Sequence, residues 1–148
     1  MSSLKIRFVS DSGVVSSIIR FWTWSQWSHV ELWTPDGWLG ARTDGDGVSI
    51  KPYNYNSPLK EELLVLEVPD YDSAIKFAYD QVGKKYDYGA IAGLGVREDW
   101  DDPSKWFCSE YIYCIAQKGG IELLRTEGVN RVTPRDLYMS TLLVNSHD

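Results

Sequence analysis

Histidine and cysteine are scarce in this chain, with two of each among 148 residues. Cys108 and Cys114 lie six positions apart on one predicted helix, where about 100° per residue turns them to different faces, so neither a disulfide nor a cysteine metal pair is expected. A reduced chain of this kind fits synthesis in the cytoplasm and leaves later export open. No stretch approaches a membrane-spanning run, and Met1-Ser2-Ser3-Leu4-Lys5 carries no apolar signal-peptide core. A basic cluster is missing too: the formal net charge is −6 and the pI near 4.9, which excludes nucleic acid as a partner because phosphate binding needs a basic surface. Gly89, Gly93 and Gly95 match neither the dinucleotide nor the P-loop fingerprint and read as close packing. The Asp44-Gly45-Asp46-Gly47 repeat lacks the spacing and terminal glutamate of a calcium loop and reads as a hairpin turn. No metal or other cofactor is therefore expected. Without repeats or linkers, residues 1–148 read as a single domain large enough for a real core.

Aromatic residues are abundant instead: seven tryptophans and nine tyrosines. Trp22, Trp24, Trp27, Trp33 and Trp38 crowd around one short segment, and with Trp106 they are candidates for cleft walls that suit a sugar ring, an acyl chain or a peptide side chain equally. Glu98-Asp99-Trp100-Asp101-Asp102 is the one concentrated charge run. It reads first as a solvated loop, with attraction of a cationic substrate as the alternative.

Chemistry concentrates at Trp27-Ser28-His29-Val30-Glu31-Leu32 and Trp106-Phe107-Cys108-Ser109-Glu110-Tyr111. Pro103-Ser104 precedes an apolar-periodic run through Tyr111, Ile112, Ile115 and Ala116 that Gly119-Gly120 ends, so Cys108 falls at a helix start. The positive end of a helix dipole and its unpaired N–H groups favour thiolate over thiol, which makes a cysteine in that setting a nucleophile. It needs a base. His147 lies one residue from the end of the chain, leaving His29 as the credible imidazole partner. His29, Glu31 and Trp33 alternate with Val30 and Leu32 as on a strand. The plainer alternative is a buried thiol and a surface histidine that never meet.

The stretch Gly83-Lys84-Lys85-Tyr86-Asp87-Tyr88-Gly89-Ala90, followed after an insertion by Phe107-Cys108-Ser109-Glu110, resembles the NlpC-like cysteine peptidases. In ordinary members the histidine follows the cysteine. Here Ser28-His29-Val30 precedes it, which resembles the circularly permuted YiiX/YebB-like branch with a permuted papain fold. The resemblance runs from the strand near Ile6 to the cysteine helix. It implies Cys108 as nucleophile, His29 as general base and then general acid, and Tyr86 beside the nucleophile as a support for the oxyanion, with the Cys108 backbone N–H as a further donor. A core aromatic at a turn is the competing reading of Tyr86. The implied activity is amide hydrolysis of peptidoglycan-type peptides, with release by lysis or a phage particle as the route to such a substrate. Lipid or ester acyl hydrolysis, or acyl transfer, of the lecithin:retinol acyltransferase type is the enzymatic alternative. A non-catalytic ligand-binding module is the alternative from another class.

The permuted relatives place a glutamate on the strand after the histidine strand, where this chain has Gly40 in Trp38-Leu39-Gly40-Ala41. Thr34-Pro35-Asp36-Gly37 reads as a tight turn; pairing Trp33 with Trp38 across it sets Glu31 opposite Gly40 and makes Glu31 the candidate third member. Asp44, a backbone carbonyl, or a solvated Glu31 without a role are the alternatives.

The remaining chain reads as strands at Leu4 to Val9, Ser28 to Trp33, Trp38 to Arg42, Val48 to Lys51 and Leu63 to Val68. Helices are expected after Asp11 or Ser12 through Trp22, after Asp70 or Asp72 as far as Gly83, and from Thr133-Pro134 toward Leu137, with a last strand at Leu142 to Val144. The expected class is α+β: a permuted papain-like, NlpC-type domain with helices packed on a mostly antiparallel sheet.

Overall fold

The computed structural model describes residues 2–10, 27–42, 45–86, 105–106, 108–123, 134–140 and 142–145. The expected helix over 11–22, the glycines at 89, 93 and 95, the acidic run and Asp44 lie outside these residues, as do Trp22 and Trp24.

Strands β1 (Ser2–Ser10), β2 (His29–Thr34), β3 (Gly37–Arg42), β4 (Gly47–Lys51) and β5 (Lys60–Val68), with the two-residue β8 (Val144–Asn145), form an antiparallel sheet in the order β4-β3-β2-β1-β5-β8. Alternation sorts the side chains. Leu4, Ile6 and Phe8 of β1, Val30 and Leu32 of β2, Leu39 and Ala41 of β3, and Leu64, Leu66 and Val68 of β5 all enter one core. Against this row pack α1 (Tyr71–Asp80), through Ala74 and Ala78, and α2 (Cys108–Lys118), through Tyr111, Ile112, Ile115 and Ala116.

The helix ends follow from local chemistry. Asp70 caps α1 by accepting the Ser73 N–H at 3.1 Å, and Gly83, at φ 98°, turns the chain away after it. Gly119 ends α2 at a close approach, since a β-carbon there would lie 3.1 Å from Val68 Cβ and 3.2 Å from Ala74 Cβ. The Tyr111 hydroxyl donates to the Ala78 carbonyl and ties the two helices together. A short α3 (Pro134–Tyr138) brings Leu137 into the core and Tyr138 against Phe8. No helix among the described residues is long and apolar enough to cross a membrane.

The other row of alternating side chains would face water in a two-layer domain, yet every residue of β3 is buried. Residues 52–59 account for this. Within that segment the Tyr53 carbonyl accepts Trp38 Nε1–H at 3.3 Å, Asn56 Oδ1 accepts Arg7 Nη2–H at 3.1 Å, and Leu59 N–H donates to the Ser10 carbonyl at 2.8 Å. At the far edge, β6 (Lys85–Tyr86) pairs in parallel with β7 (Lys105–Trp106) and is tied to β4 by Val48 N–H to the Lys84 carbonyl at 2.8 Å. That pairing carries the Tyr86 backbone next to the segment that leads into Cys108.

Candidate active site

The β2–β3 register pairs Trp33 with Trp38, and continuing it sets Glu31 opposite Gly40. Gly40 has no side chain to occupy the space there. A β-carbon on it would lie 3.1 Å from both Arg42 Nη1 and Glu31 Cβ, and 3.5 Å from His29 Cε1. The three side chains therefore converge over the glycine. Divergence of neighbours on one strand does not keep His29 and Glu31 apart, because Nε2 of the ring turns back to within 3.4 Å of Glu31 Oε2.

Glu31 is fully buried, which sets aside the solvated alternative. Its Oε1 accepts Arg7 Nε–H at 2.9 Å and a second bond from Arg7 Nη2; its Oε2 accepts Arg42 Nη1–H at 2.9 Å. The Tyr55 hydroxyl lies 3.1 and 3.0 Å from the two oxygens. Arg42 is pinned in turn by a bond from Nη2 to the Trp38 carbonyl, and its Nη1 sits 3.3 Å from His29 Nε2. Burial alone would push the Glu31 carboxyl up, but the hydrogen bond and charge of His29, followed by Arg42 and Arg7, outweigh it and hold the group at about 2. Tyr55 is pushed up by burial and by the Glu31 charge, so it remains a protonated donor.

Cys108 opens α2 and is buried, and α2 packs against the strand that carries His29. Burial by itself would lower the imidazole; hydrogen bonds to Cys108 and Glu31, and the charges of both, raise it from 6.5 to about 9. His29 and Glu31 are thus in direct contact, and Cys108 lies buried at the head of the helix packed on their strand. Cys114 is half-buried on the same helix and packs against the core.

The aromatic candidates divide. Trp27, expected on a cleft wall, is a core residue instead: it is 4% exposed and packs its ring on Phe8 and Tyr138 at 6.1 and 5.4 Å between centroids. Its place just before β2 turns it toward the helices rather than toward the histidine face. Trp38 lies beneath the Arg7 guanidinium at 4.4 Å and meets Tyr53 edge-on, and Trp33 stacks on Tyr53 with Lys5 over its ring. Both support the ion-pair layer. The side chains of Tyr86 and Trp106 lie outside the described residues. Arg7, Arg42 and Tyr55 were not singled out by the sequence. The one signal was arginine at an alternating strand position between apolar neighbours in Ile6-Arg7-Phe8, whereas Arg42, between Ala41 and Thr43, and Tyr55 carried none.

The sheet order and the helices packed on it define an α+β domain with an antiparallel sheet. A solved structure with this fold is the crystal structure of metalloprotein yiiX from Escherichia coli O157:H7, DUF1105, with a TM-score of 0.70 and 17% sequence identity over 97% of this chain and 94% of that one. No protein-family model matches the chain, and no curated protein matches it by sequence.

Proposed function

We propose that this chain is a cysteine hydrolase of the permuted papain-like, NlpC type that cleaves amide bonds, with Cys108 as nucleophile, His29 as proton carrier and Glu31 as the group that orients His29. The observation that carries the reading is the 3.4 Å contact between the imidazole and the buried Glu31 carboxylate, with the buried Cys108 at the head of a helix that packs on the same strand. In the first half-reaction the thiolate sulfur forms a bond to the substrate carbonyl carbon. The carbon–nitrogen bond then breaks as the imidazolium gives its proton to the departing amine, leaving a thioester. In the second, water attacks the thioester and its proton passes to His29, the carbon–sulfur bond breaks, and the carboxylic acid leaves. The backbone N–H of Cys108 at the start of α2 is a donor for the oxyanion, and the resemblance adds Tyr86.

An imidazole raised to about 9 is protonated at neutral pH, and this favours an amide over an ester. An amine must be protonated to leave, whereas an alkoxide or thiolate needs less help. The alternative of a non-catalytic module rests on the acidic run at 98–102 and on the missing glutamate at position 40; against the second stands Glu31, which reaches the space over Gly40 from the neighbouring strand.

The yiiX protein is described as a metalloprotein. In this chain the described residues hold no group of three or more His, Cys, Asp and Glu side chains suited to a metal. Two guanidiniums already fill the Glu31 oxygens and repel a cation there. The described residues do not fit a metal, and no step of the reaction is routed through one.

The test is mass spectrometry after incubation with muropeptides and, separately, with phospholipids. Cleavage of muropeptide amides by wild type, abolished in Cys108→Ala, is the expected result. Turnover of phospholipid alone would replace the amidase reading with an acyl hydrolase. Activity retained in Cys108→Ala would remove the nucleophile assignment.

A further inference from the structure

We infer that Arg42 is a positioning residue that competes with His29 for the Glu31 carboxylate and so keeps the imidazole ready to release its proton. The inference rests on the hydrolase reading above. Three atoms form a triangle: Arg42 Nη1 to Glu31 Oε2 is 2.9 Å, His29 Nε2 to the same oxygen is 3.4 Å, and Nη1 to Nε2 is 3.3 Å. A guanidinium nitrogen can only donate. When His29 is an imidazolium, its Nε2–H can only donate as well, so two cationic donors 3.3 Å apart share one acceptor and repel. When the ring is neutral the conflict disappears, since Nε2 can either donate to Glu31 or accept from Nη1.

Arg42 cannot swing out of this conflict. It is 5% exposed and its Nη2 is held by the Trp38 carbonyl. Among the described residues, the charged and titratable groups around the ring are Glu31 on β2, Arg42 on β3 and Cys108 on α2. Arg7 of β1 and Tyr55 of the 52–59 segment act on it through Glu31, and Glu61 acts through Arg7. Of these, Glu31 and the Cys108 sulfur hold the proton on the ring, whereas Arg42 loosens it. The step that gains is delivery of the proton to the amine leaving group.

The two histidines of the chain make the test direct, because ring NMR signals of His29 can be followed against His147 as pH is varied. In a Cys114→Ser background, Arg42→Gln should move the His29 titration upward by about one pH unit or more. Arg42→Lys, which keeps the charge, should restore most of the difference. Tyr55→Phe removes one further donor from Glu31 with little change of shape, and should move the titration the same way by a smaller amount; it serves as the readout if Arg42→Gln does not fold. A merely structural role for Arg42 would free Glu31 to drift from the ring and move the titration downward. An unchanged or lowered His29 titration therefore overturns the inference. Iodoacetamide alkylation of Cys108 in wild type and His29→Ala separates this from failure of the hydrolase reading. Identical pH profiles there would show an uncoupled thiol and imidazole, whereas a coupled pair with no upward shift in Arg42→Gln defeats the role of Arg42 alone.

Discussion

Replacing Glu31 by glutamine keeps the shape of the side chain and removes one charge from a place where water cannot compensate. Two guanidiniums then stay behind with side chains only 7% and 5% exposed. Breaking a buried ion pair from one side costs about 3–5 kcal/mol, because the remaining charge is uncompensated. Glu61 bonds Arg7 Nη1 at 3.0 Å, but its side chain is 57% exposed and screened by water, so it offsets little. A separate route gives a similar size. A carboxyl held at about 2 in place of 4.5 contributes about 3 kcal/mol, fully present above pH 4.5 and lost as pH falls toward 2. Urea unfolding at pH 7 should therefore show Glu31→Gln less stable by about 3–5 kcal/mol with an unchanged denaturant slope. Adding Arg42→Gln to the same chain should recover about 2 kcal/mol of the summed losses, since one of the orphaned cations goes with it. A loss below about 1 kcal/mol for Glu31→Gln, or strict additivity in the double variant, would refute the picture of a carboxylate held between two cations.

On the alkaline side the sign reverses: His29 is raised from 6.5 to about 9, so its contribution of about 3 kcal/mol is fully present below pH 6.5 and lost as pH rises through 9. Unfolding free energies at pH 6 and pH 9.5 should therefore differ more in wild type than in His29→Gln, and equal differences would show that the ring is not held as a cation. Because the His29 and Glu31 contributions share one contact, they do not add. Gly40→Ala puts a β-carbon 3.1 Å from Arg42 Nη1 and Glu31 Cβ, so amide turnover should fall about tenfold or more while urea stability drops by only about 1–3 kcal/mol; unchanged turnover would mean that Gly40 does not set the site. Gly47→Ala meets the Lys84 carbonyl oxygen at 2.2 Å from a backbone φ of 65°, and a melting temperature within 2 °C of wild type in calorimetry would contradict that close approach, since a loss of more than about 2 kcal/mol is expected.

The sheet was legible because its signal is local. Alternation in Leu4-Lys5-Ile6-Arg7-Phe8 and the Pro-Asp-Gly turn at 35–37 fix both strand identity and the β2–β3 register, and the register alone sets Glu31 opposite Gly40. The helix starts were legible for the same reason, through Asp70 and through the segment before Cys108. Arg7 and Arg42 were not, because their meaning depends on strands that meet only in the folded chain. Each reads alone as one scattered base among fifteen. Tyr55 carries no periodicity at all, and its place follows from residues 52–59 crossing the sheet. Trp27 misled because it lies only two residues before His29 in sequence, while its side chain packs into the core.

Gly40 is better understood as a condition for the site than as a gap in it. Residues two apart on a strand rise about 6.6 Å, so a histidine and a glutamate in those positions meet only if both side chains lean toward each other across the face of the neighbouring strand. Any side chain on that neighbour would stand in the way, and the position facing Glu31 is Gly40. The place of the carboxylate on β2 has a second consequence. From β2 it also faces Arg7 on the opposite neighbour, which a carboxylate on β3 could not reach through the same register. Glu31 is then clamped from both sides, by Arg7 of β1 and Arg42 of β3, while the His29 hydrogen bond and charge come ahead of both in holding its carboxyl low. A carboxylate fixed between two guanidiniums can hold the ring in place without taking its proton, since its own carboxyl is held at about 2.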